Sequence, residues 1–455
     1  MILLGFVESS SFFNEVTALE RLATKKNTPN IPAVHDWFIS DELPKTRTKA
    51  WKMVHEYVAN ASQFRKLLTK PKPFGYLVME RADGGTMASF FDDYIAKAQS
   101  IEHIWYTLDI TMFQLIYNVA ALPASQLLHR DLGASNNILI TTLHHQQQYP
   151  PVPDGASDNT RYWHFKVGDN LFRFPTPHFK PIIIDYGTAK LLYTNCSFKT
   201  DFRHTTLRYR APELIFITAV PGGQLQPWFT SSTDLFSIAM SILETIFGDY
   251  TKKSPNNEQY FCHPFMRYNP PSNLQQKLEA LCDQLLEDEN KSTEQPQKDW
   301  IRMIRKGFID KSECALLSRY LWGMYYELGI PNNQIWPGVE ETHIWKVMED
   351  VIRQRKENNM GAPPGHFSLF KHAKLKQYLS PSQREMLKDM LQFNPKSRPC
   401  PTDLLTSDAF RHLRFSVDNA QRENYYPCWS VSIKTSVSWA NKQKRPPPTQ
   451  KPQNQ

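Results

Sequence analysis

The sequence predicts an α+β protein with two unequal lobes, a small mixed lobe over about residues 1–85 and a larger, mainly helical lobe over about 86–412. Two short stretches at 30–40 and 74–82 are rich in β-branched and aromatic residues, which is typical of strands. From residue 86 onward, apolar residues recur at helical spacing. The chain has 455 residues, 41% of them apolar, which is enough for two packed units.

The helices follow from the same apolar spacing, taken in chain order. In the small lobe, "FFNEVTALERLA" at 12–23 places Val16, Leu19 and Leu22 on one helical face. The pattern in the large lobe predicts helices at 86–98, 104–127, 233–247, 272–288, 341–356 and 381–392.

Two predicted insertions interrupt the large lobe, at about 142–180 and 249–298. The first begins with a polar loop and continues as "YWHFKVGDNLFRFP", whose apolar alternation around a Gly-Asp-Asn turn predicts a hairpin. Residues 413–455 form a C-terminal extension. From about residue 441 its Pro, Gln and Lys content predicts disorder.

Charge and cysteine usage exclude several classes of protein. The net charge of +8 is mild and favours acidic partners or phosphate groups without predicting nucleic-acid binding. The six cysteines form no C-x-x-C pair, so we expect no zinc site or disulfide framework, and a reducing compartment. The most apolar stretch, 104–128, contains Asp109 and Pro123, which favours a buried helix over a membrane span. With no basic region before the short N-terminal apolar run, we expect an intracellular protein of the cytoplasm or nucleus.

Five sequence motifs contain the candidate catalytic and supporting residues, and their order along the chain is informative. The stretch "LLHRDLGASNNILI" contains an acid followed five residues later by an asparagine. Four more motifs come after it: "PIIIDYGTAK", "RYRAPEL", "STDLFSIAMSILE" and "NPKSRP". The residues of interest are Asp131 and Asn136 in the first motif, then Asp185, Glu213, Asp234 and Arg398.

In this order the motifs resemble those of eukaryotic-type protein kinases, and the resemblance covers about residues 1–412. "TLRYRAPEL" together with "LGIPNNQIWPGVEETHIWK" is similar to the group that contains the cyclin-dependent and MAP kinases. The resemblance implies a bilobal protein-kinase-like fold with a truncated, β-rich small lobe. It also implies a Ser/Thr kinase that uses ATP and Mg²⁺ as cofactors and protein hydroxyls as acceptors.

The resemblance assigns roles to individual residues. Asp131 is expected to accept the proton of the substrate hydroxyl, and Asn136 and Asp185 are expected to bind Mg²⁺. Tyr186 replaces the Phe of the Asp-Phe-Gly motif and keeps its aromatic character. The nucleotide site is expected to include Glu15 on the helix of the small lobe, the gatekeeper Met79, the backbone of Glu80 and Ala82, and the apolar walls Ile138 and Ile184. Glu20 remains a rival for the role of Glu15.

Other residues are expected to support this site. Glu213 and Arg398 would form a buried ion pair, and Asp234 would hold the catalytic loop through its backbone amides. Thr206 indicates Ser/Thr specificity, and Arg130 suggests control by phosphorylation of the activation segment. The candidate phosphorylation sites are Thr194, Ser197, Thr200 and Thr205.

The sequence also departs from the kinase pattern. No Gly-rich loop precedes Glu15, and Gly5 stands near the position of the nucleotide-binding lysine. Gly133 occupies the position of a lysine that follows the catalytic Asp in Ser/Thr kinases. Asn136 and Asp185 lie 49 residues apart, whereas fewer than twenty separate them in the family. The chain is therefore either an N-terminally incomplete version of an active kinase or a pseudokinase.

The alternatives differ in the partners they predict. An active kinase takes protein substrates and a possible regulatory protein. A pseudokinase acts as an interaction or scaffold module, with binding surfaces on the insertions at 142–180 and 249–298. "RYRAPEL" disfavours a small-molecule kinase, because the peptide-binding segment is a feature of protein kinases. Membrane association is not expected, and nucleic-acid binding through the basic tail is the weakest hypothesis.

Overall fold

The computed structural model describes residues 2–6, 10–24, 30–40, 74–98, 100–142, 162–175, 179–191, 205–216, 230–247, 263–293, 301, 311–358, 367–414 and 429–431. The tail beyond residue 441 lies outside these ranges, as do Thr194, Ser197 and Thr200.

The described chain contains ten strands and ten α-helices. The strands are β1 (Ile2–Phe6), β2 (Val34–Ser40), β3 (Phe74–Met79), β4 (Leu127–Leu128), β5 (Ile138–Thr142), β6 (Tyr162–Val167), β7 (Asn170–Pro175), β8 (Phe179–Ile183), β9 (Lys190–Leu191) and β10 (Trp429–Val431). The helices are α1 (Ser10–Thr24), α2 (Met87–Lys97), α3 (Ile101–Ala121), α4 (Ser231–Phe247), α5 (Ser272–Lys291), α6 (Cys314–Leu328), α7 (His343–Glu357), α8 (Ala373–Tyr378), α9 (Pro381–Met390) and α10 (Pro401–Leu405).

The small lobe is a three-stranded antiparallel sheet with one helix. The strand order is β1-β3-β2, and β1 pairs along its whole length with β3. Helix α1 buries Phe12, Val16, Leu19 and Leu22, which recur at the spacing of one helical face. The strand that leads into α1 therefore exists, and Gly5 lies within it opposite Gly75.

Two helices at the centre of the large lobe are buried almost throughout. Helix α3 begins at the N-cap Ser100, whose hydroxyl accepts from the N–H of His103, and is buried from Thr107 to Ala121. Helix α4 is buried from Thr233 to Phe247. A helix that is apolar on all sides belongs in a protein core. These two helices are the scaffold on which the catalytic loop rests.

The first insertion contains the predicted hairpin, and the structure confirms it as β6 and β7. Strand β10 from the C-terminal extension pairs in parallel with β6, which gives a three-stranded sheet in the order β10-β6-β7. The inner face of the hairpin packs on α3: the rings of Phe165 and Phe172 lie 5.2 and 5.1 Å from that of Phe113. The hairpin is thus part of the core of the large lobe.

The second insertion contributes α5, which packs against α6 and α7. Its buried residues Leu274, Leu278, Leu281 and Leu285 recur every three or four positions. Helix α9 begins with a complete capping box formed by Ser380 and Gln383.

Most sequence-based helices are confirmed to within a few residues, including 233–247 (α4), 272–288 (α5) and 341–356 (α7). Helix 104–127 was predicted too long, since α3 ends at Ala121 before Pro123. Helices α6, α8 and α10 were not predicted. Among the described residues, no helix combines the length and the apolar character that a membrane crossing requires.

Candidate active site

The catalytic loop between β4 and β5 is tied to the start of α4. Asp234 accepts hydrogen bonds from the backbone N–H of His129 at 2.9 Å and of Arg130 at 2.8 Å. Burial raises the pKa of Asp234 to about 6, and the two N–H donors work in the opposite direction. Arg130 has a φ of 73°, a left-handed conformation that is costly for a residue with a side chain. The carboxylate of Asp234 therefore holds a strained turn in place.

His129 links the loop to the end of β8. Its Nε2 lies 3.0 Å from the carbonyl of Ile184 and donates to it, and its Nδ1 accepts from the N–H of Asp131 at 3.3 Å. Burial lowers the pKa of His129 to about 4, so the ring is neutral at pH 7. The ring also meets Tyr186 edge-on at 4.7 Å. His129 thus fixes the position of Asp131 relative to Asp185, which follows Ile184.

The carboxylate of Asp131 is held by two neighbours. The N–H of Thr206 donates to its Oδ1 at 2.8 Å, and the amide of Asn137 donates to its Oδ2 at 3.0 Å. The same amide also donates to the backbone carbonyl of Asp131 at 2.7 Å. Burial raises the pKa of Asp131, these hydrogen bonds lower it, and the charge of Asp185 raises it. A carboxylate fixed in this way can receive a proton in a defined direction.

The asparagine whose side chain contacts Asp131 is Asn137, the neighbour of the Asn136 that is expected to bind Mg²⁺. Asn136 instead donates to the hydroxyl of Thr206 at 3.3 Å. The N–H groups of residues 136, 137 and 138 lie 3.3, 3.0 and 3.1 Å from the carbonyl oxygen of Gly133.

The apolar wall expected at Ile138 lies on strand β5. In a strand, successive side chains point to opposite faces. Ile138 is completely buried, whereas Leu139 is only partly buried. The face of β5 that is open above the core therefore carries Leu139. Ile184 is partly buried and its N–H donates to the carbonyl of Asn137 at 3.0 Å.

Gly133 stands where a lysine was expected, and its surroundings leave no room for a side chain. A Cβ atom at this position would lie 2.2 Å from Oδ1 of Asn136 and 2.3 Å from the ring of Tyr209. The hydroxyl of Tyr209 contacts Ser135 of the same loop, with 2.5 Å to its Oγ and 3.1 Å to its N. The ring of Tyr209 thus occupies the space that a side chain at residue 133 would need.

Asp185 and Glu15 meet where α1 approaches the end of β8. Asp185 has a φ of 64° and precedes the turn Tyr186–Thr188, and burial raises its pKa. Burial raises the pKa of Glu15 to about 7, the charge of Asp185 adds to this rise, and the N–H of Tyr186 opposes it. Oε1 of Glu15 is buried and has no hydrogen-bond partner within the described part of the chain. Glu20, the rival candidate, lies elsewhere and accepts from the indole N–H of Trp37 at 3.1 Å.

The connection between the lobes follows β3. Met79 is buried, and the N–H of the next residue, Glu80, donates to the carbonyl of Ala33 at 2.8 Å. The Glu80 carbonyl and the Ala82 N–H have no hydrogen-bond partner among the described residues. Glu80 and Ala82 are the residues whose backbone groups are expected to bind the adenine edge. The ammonium of Lys180 lies 3.4 Å from the Glu80 carboxylate and is almost completely buried, an ion pair that the sequence did not indicate.

A buried ion pair anchors the segment that follows the site. Arg398 donates to both oxygens of Glu213 at 2.7 Å. Its other N–H groups donate to the carbonyls of Ser232, Gln392 and Phe393, so all five donors are used. Such full satisfaction is what a buried guanidinium requires.

Arg130 and Thr205 bear on the expected control by phosphorylation. The Nε of Arg130 donates to the carbonyl of Thr188 at 2.5 Å. The hydroxyl of Thr205 is completely buried and donates to the carbonyl of Arg130 at 2.6 Å. A kinase acting on Thr205 would have to break this contact, which disfavours Thr205 among the candidate phosphorylation sites.

Comparison with known proteins identifies the family. No curated protein sequence matches this chain significantly. Among solved structures, the yeast RNA polymerase II CTD kinase CTDK-1 complex contains a chain with a TM-score of 0.46 and 15% sequence identity, over 90% of this chain and 85% of that one. The family model described as protein kinase domain matches residues 7–298. With more than half of its length matched by that model, the chain belongs to the protein kinase domain family.

Proposed function

We propose that this chain is a protein serine/threonine kinase that transfers the γ-phosphate of ATP to protein hydroxyls, with Mg²⁺ as the metal cofactor. The observation that carries the proposal is the fixed carboxylate of Asp131, held by Thr206 and Asn137 and within the electrostatic influence of Asp185. Phosphoryl transfer needs positioning and charge neutralisation, and such a group supplies the first requirement.

The oxygen donors at the site fit a hard cation. The Asp185 carboxylate and the Oδ1 of Asn137 are the two groups that would hold Mg²⁺, because carboxylate and amide oxygens are its usual ligands. When bound, Mg²⁺ neutralises charge on the phosphates of the nucleotide. The role assigned from sequence to Asn136 passes to Asn137 in this proposal, since the Asn137 amide group lies against Asp131.

The chain's own residues then have distinct tasks. Asp131 accepts the proton of the substrate hydroxyl, and the N–H of Thr206 aims one of its oxygens. The carbonyl of Glu80 and the N–H of Ala82 bind the edge of the adenine ring, with Leu139 and Ile184 below it. Thr206 supports Ser/Thr specificity through its place beside Asp131, where an aliphatic hydroxyl would be received.

A pseudokinase that acts as an interaction module is the second candidate, and one observation favours it. Oε1 of Glu15 is buried without a hydrogen-bond partner in the described ranges, although kinases pair this glutamate with a lysine. Burial raises the pKa of Glu15 to about 7, and no cation in the described part of the chain offsets this rise. Without the lysine that pairs with this glutamate in kinases, the phosphates of the nucleotide would be bound more weakly.

Two exposed aromatic side chains on the small lobe favour a regulatory protein as a partner. Phe13 on α1 and Trp37 on β2 are 44% and 38% exposed, and both rings contact Phe12. We infer that a regulatory protein packs on this face and fixes α1, which positions Glu15. Phe13→Ser should abolish co-purification of such a protein and leave the melting temperature of the isolated chain unchanged.

Nucleotide binding decides between the two candidate functions. The melting temperature of the purified chain is measured with ATP, with and without Mg²⁺, for the wild type and for Asp185→Ala. A ligand at 100 times its Kd stabilises the native state by about 2.7 kcal/mol. A rise that needs Mg²⁺ and is lost in Asp185→Ala supports a nucleotide site.

Phosphotransfer to a protein substrate, abolished by Asp131→Asn, would then establish the kinase. No rise at saturating nucleotide would refute the kinase and favour the interaction module.

A further inference from the structure

A short loop of the second insertion, residues 263–268, lies between the segment Thr205–Leu214 and helix α6. None of the sequence motifs includes this loop. Its residues His263, Phe265 and Met266 are almost completely buried. The loop therefore packs as part of the core, although it belongs to an insertion.

Both ring nitrogens of His263 are engaged. Nε2 lies 2.8 Å from the carbonyl of Arg208, and Nδ1 lies 3.2 Å from the N–H of Phe265. A carbonyl can only accept and an N–H can only donate, so Nε2 carries the proton and Nδ1 does not. Burial lowers the pKa of His263 to about 3, and the ring keeps this neutral tautomer at pH 7.

His263 contacts the segment at Arg208, the residue directly before Tyr209. The segment contains two tight turns, Leu207–Tyr209 and Pro212–Leu214, and the carbonyls of Arg208 and Arg210 accept hydrogen bonds from outside the segment. His263 donates to the first carbonyl, and the hydroxyl of Tyr320 on α6 donates to the second at 2.7 Å. The residue between them is Tyr209.

Tyr209 connects this segment to the catalytic loop that contains Asp131. Its hydroxyl contacts the N–H and hydroxyl of Ser135 in the catalytic loop and donates to Glu244 of α4. The Tyr209 ring also occupies the space beside Gly133. Any displacement of Arg208 or Arg210 would carry Tyr209 with it and disturb the loop that contains Asp131.

The loop is itself fixed to α6. Gly323 allows the two backbones to approach so closely that a Cβ there would lie 1.6 Å from the carbonyl oxygen of Phe265. Arg267 and Tyr268 both donate to Glu327, which is almost completely buried. The loop is thus a rigid connection between α6 and the substrate-binding segment.

We propose that the loop 263–268 is a built-in brace that holds the substrate-binding segment Thr205–Leu214 in its working conformation, with His263 as the positioning residue. The proposal rests on the proposed kinase function, since it concerns how the acceptor peptide is received. Through the Arg208 carbonyl, His263 sets the position of Tyr209 and of the catalytic loop that Tyr209 contacts. The described part of the second insertion thereby contributes to substrate binding.

Two variants of His263 separate its two hydrogen bonds. His263→Gln places an amide N–H near the position of Nε2 and keeps the bond to Arg208. His263→Asn places an amide oxygen near the position of Nδ1 and keeps only the bond to Phe265. One hydrogen bond is worth about 1 kcal/mol, so losing the bond to Arg208 should change the affected equilibria about five- to tenfold. The two variants serve as matched controls for each other.

The first measurement is amide hydrogen exchange over residues 205–216, with urea unfolding of each variant alongside. We expect the Tyr209 and Arg210 amides to exchange about five- to tenfold faster in His263→Asn and within twofold of wild type in His263→Gln. Wild-type exchange in His263→Asn, or equal acceleration in both variants, would overturn the brace. This measurement does not depend on catalysis, so it tests the brace even if the chain proves to be a pseudokinase.

The second measurement is phosphorylation of a protein substrate. We expect the KM for the acceptor to rise about five- to tenfold in His263→Asn, with kcat changed less than KM, and recovery in His263→Gln. An equal fall in kcat for both variants without a change in KM would contradict the positioning role. Absence of phosphotransfer by the wild type would refute the proposed function and leave the exchange result to decide the brace.

Discussion

Replacing each of the two adjacent asparagines separately tests the assignment of the catalytic loop. Asn137 makes two hydrogen bonds to Asp131, at 2.7 Å to its carbonyl and 3.0 Å to its carboxylate. Asn136 makes one bond of 3.3 Å to Thr206, and its Oδ1 has no hydrogen-bond partner among the described residues. We expect Asn137→Ala to impair function severely and Asn136→Ala to have a small effect.

The magnitude follows from these bonds. A bond to a neutral carbonyl is worth about 1 kcal/mol and one to a charged group about 1.5–3 kcal/mol. Together they amount to roughly 2.5–4 kcal/mol, and each 1.36 kcal/mol is tenfold in rate. Asn137→Ala should therefore lower kcat roughly 70- to 1000-fold, and loss of a metal ligand would add to this. The single long bond of Asn136 predicts less than about a fivefold effect.

The assay is phosphotransfer to a protein substrate over a series of Mg²⁺ concentrations, with urea unfolding as a control for folding. The Mg²⁺-dependent rise in melting temperature with ATP provides a second readout that needs no turnover. If Asn136→Ala has the larger effect on either readout, or if the two variants are equally impaired while remaining folded, the assignment of Asn137 is wrong.

Three further predictions concern stability and pH. Arg398→Ala leaves the carboxylate of Glu213 buried without its ion-pair partner, so we expect a loss of about 3–5 kcal/mol in the free energy of unfolding, measured by urea denaturation. Gly323→Ala forces a methyl group into the backbone of the neighbouring loop and should cost at least about 1–3 kcal/mol, measured in the same way; an unchanged midpoint would contradict the close approach. The contact with Asp109 raises the pKa of His412 above its ordinary value near 6.5, so this pair stabilises the protein fully below pH 6.5 and loses that contribution as the pH rises through the folded-state pKa. The stability difference between wild type and His412→Gln should therefore shrink from pH 5.5 to pH 8.5, and a difference that grows would refute the assignment.

The sequence predicted the amphipathic helix α5 and also the buried helix α4 well, but it missed the largely buried helix α6. Helix α5 shows a clear apolar stripe, and its predicted range of 272–288 agrees with Ser272–Lys291. Helix α6 has eleven of its fifteen residues buried, so no polar face distinguishes it. The hairpin of the first insertion was predictable because apolar and polar residues alternate on both sides of a Gly-Asp-Asn turn, a pattern that is typical of two paired strands.

At the site, the motifs predicted which segments come together but not which side chains contact Asp131. The expected spacing selects Asn136, and only the structure shows that Asn137, one position later, donates to Asp131. The partnership of Gly133 with Tyr209 was equally hidden, because it joins residues 76 positions apart. The "NN" pair was the available signal, since it allowed either residue to be the one beside Asp131.

The sheet β10-β6-β7 has a consequence for how the protein is made. Its parallel pair joins Trp429 to Phe165, so a ribosome must add 264 residues between the two partners. At about 5–20 residues per second, the edge of β6 emerges roughly 13–53 seconds before β10 exists. An uncovered strand edge invites pairing with other chains. The nascent protein therefore passes through a period in which this edge of β6 is open to misassembly, and pairing with β10 ends that period.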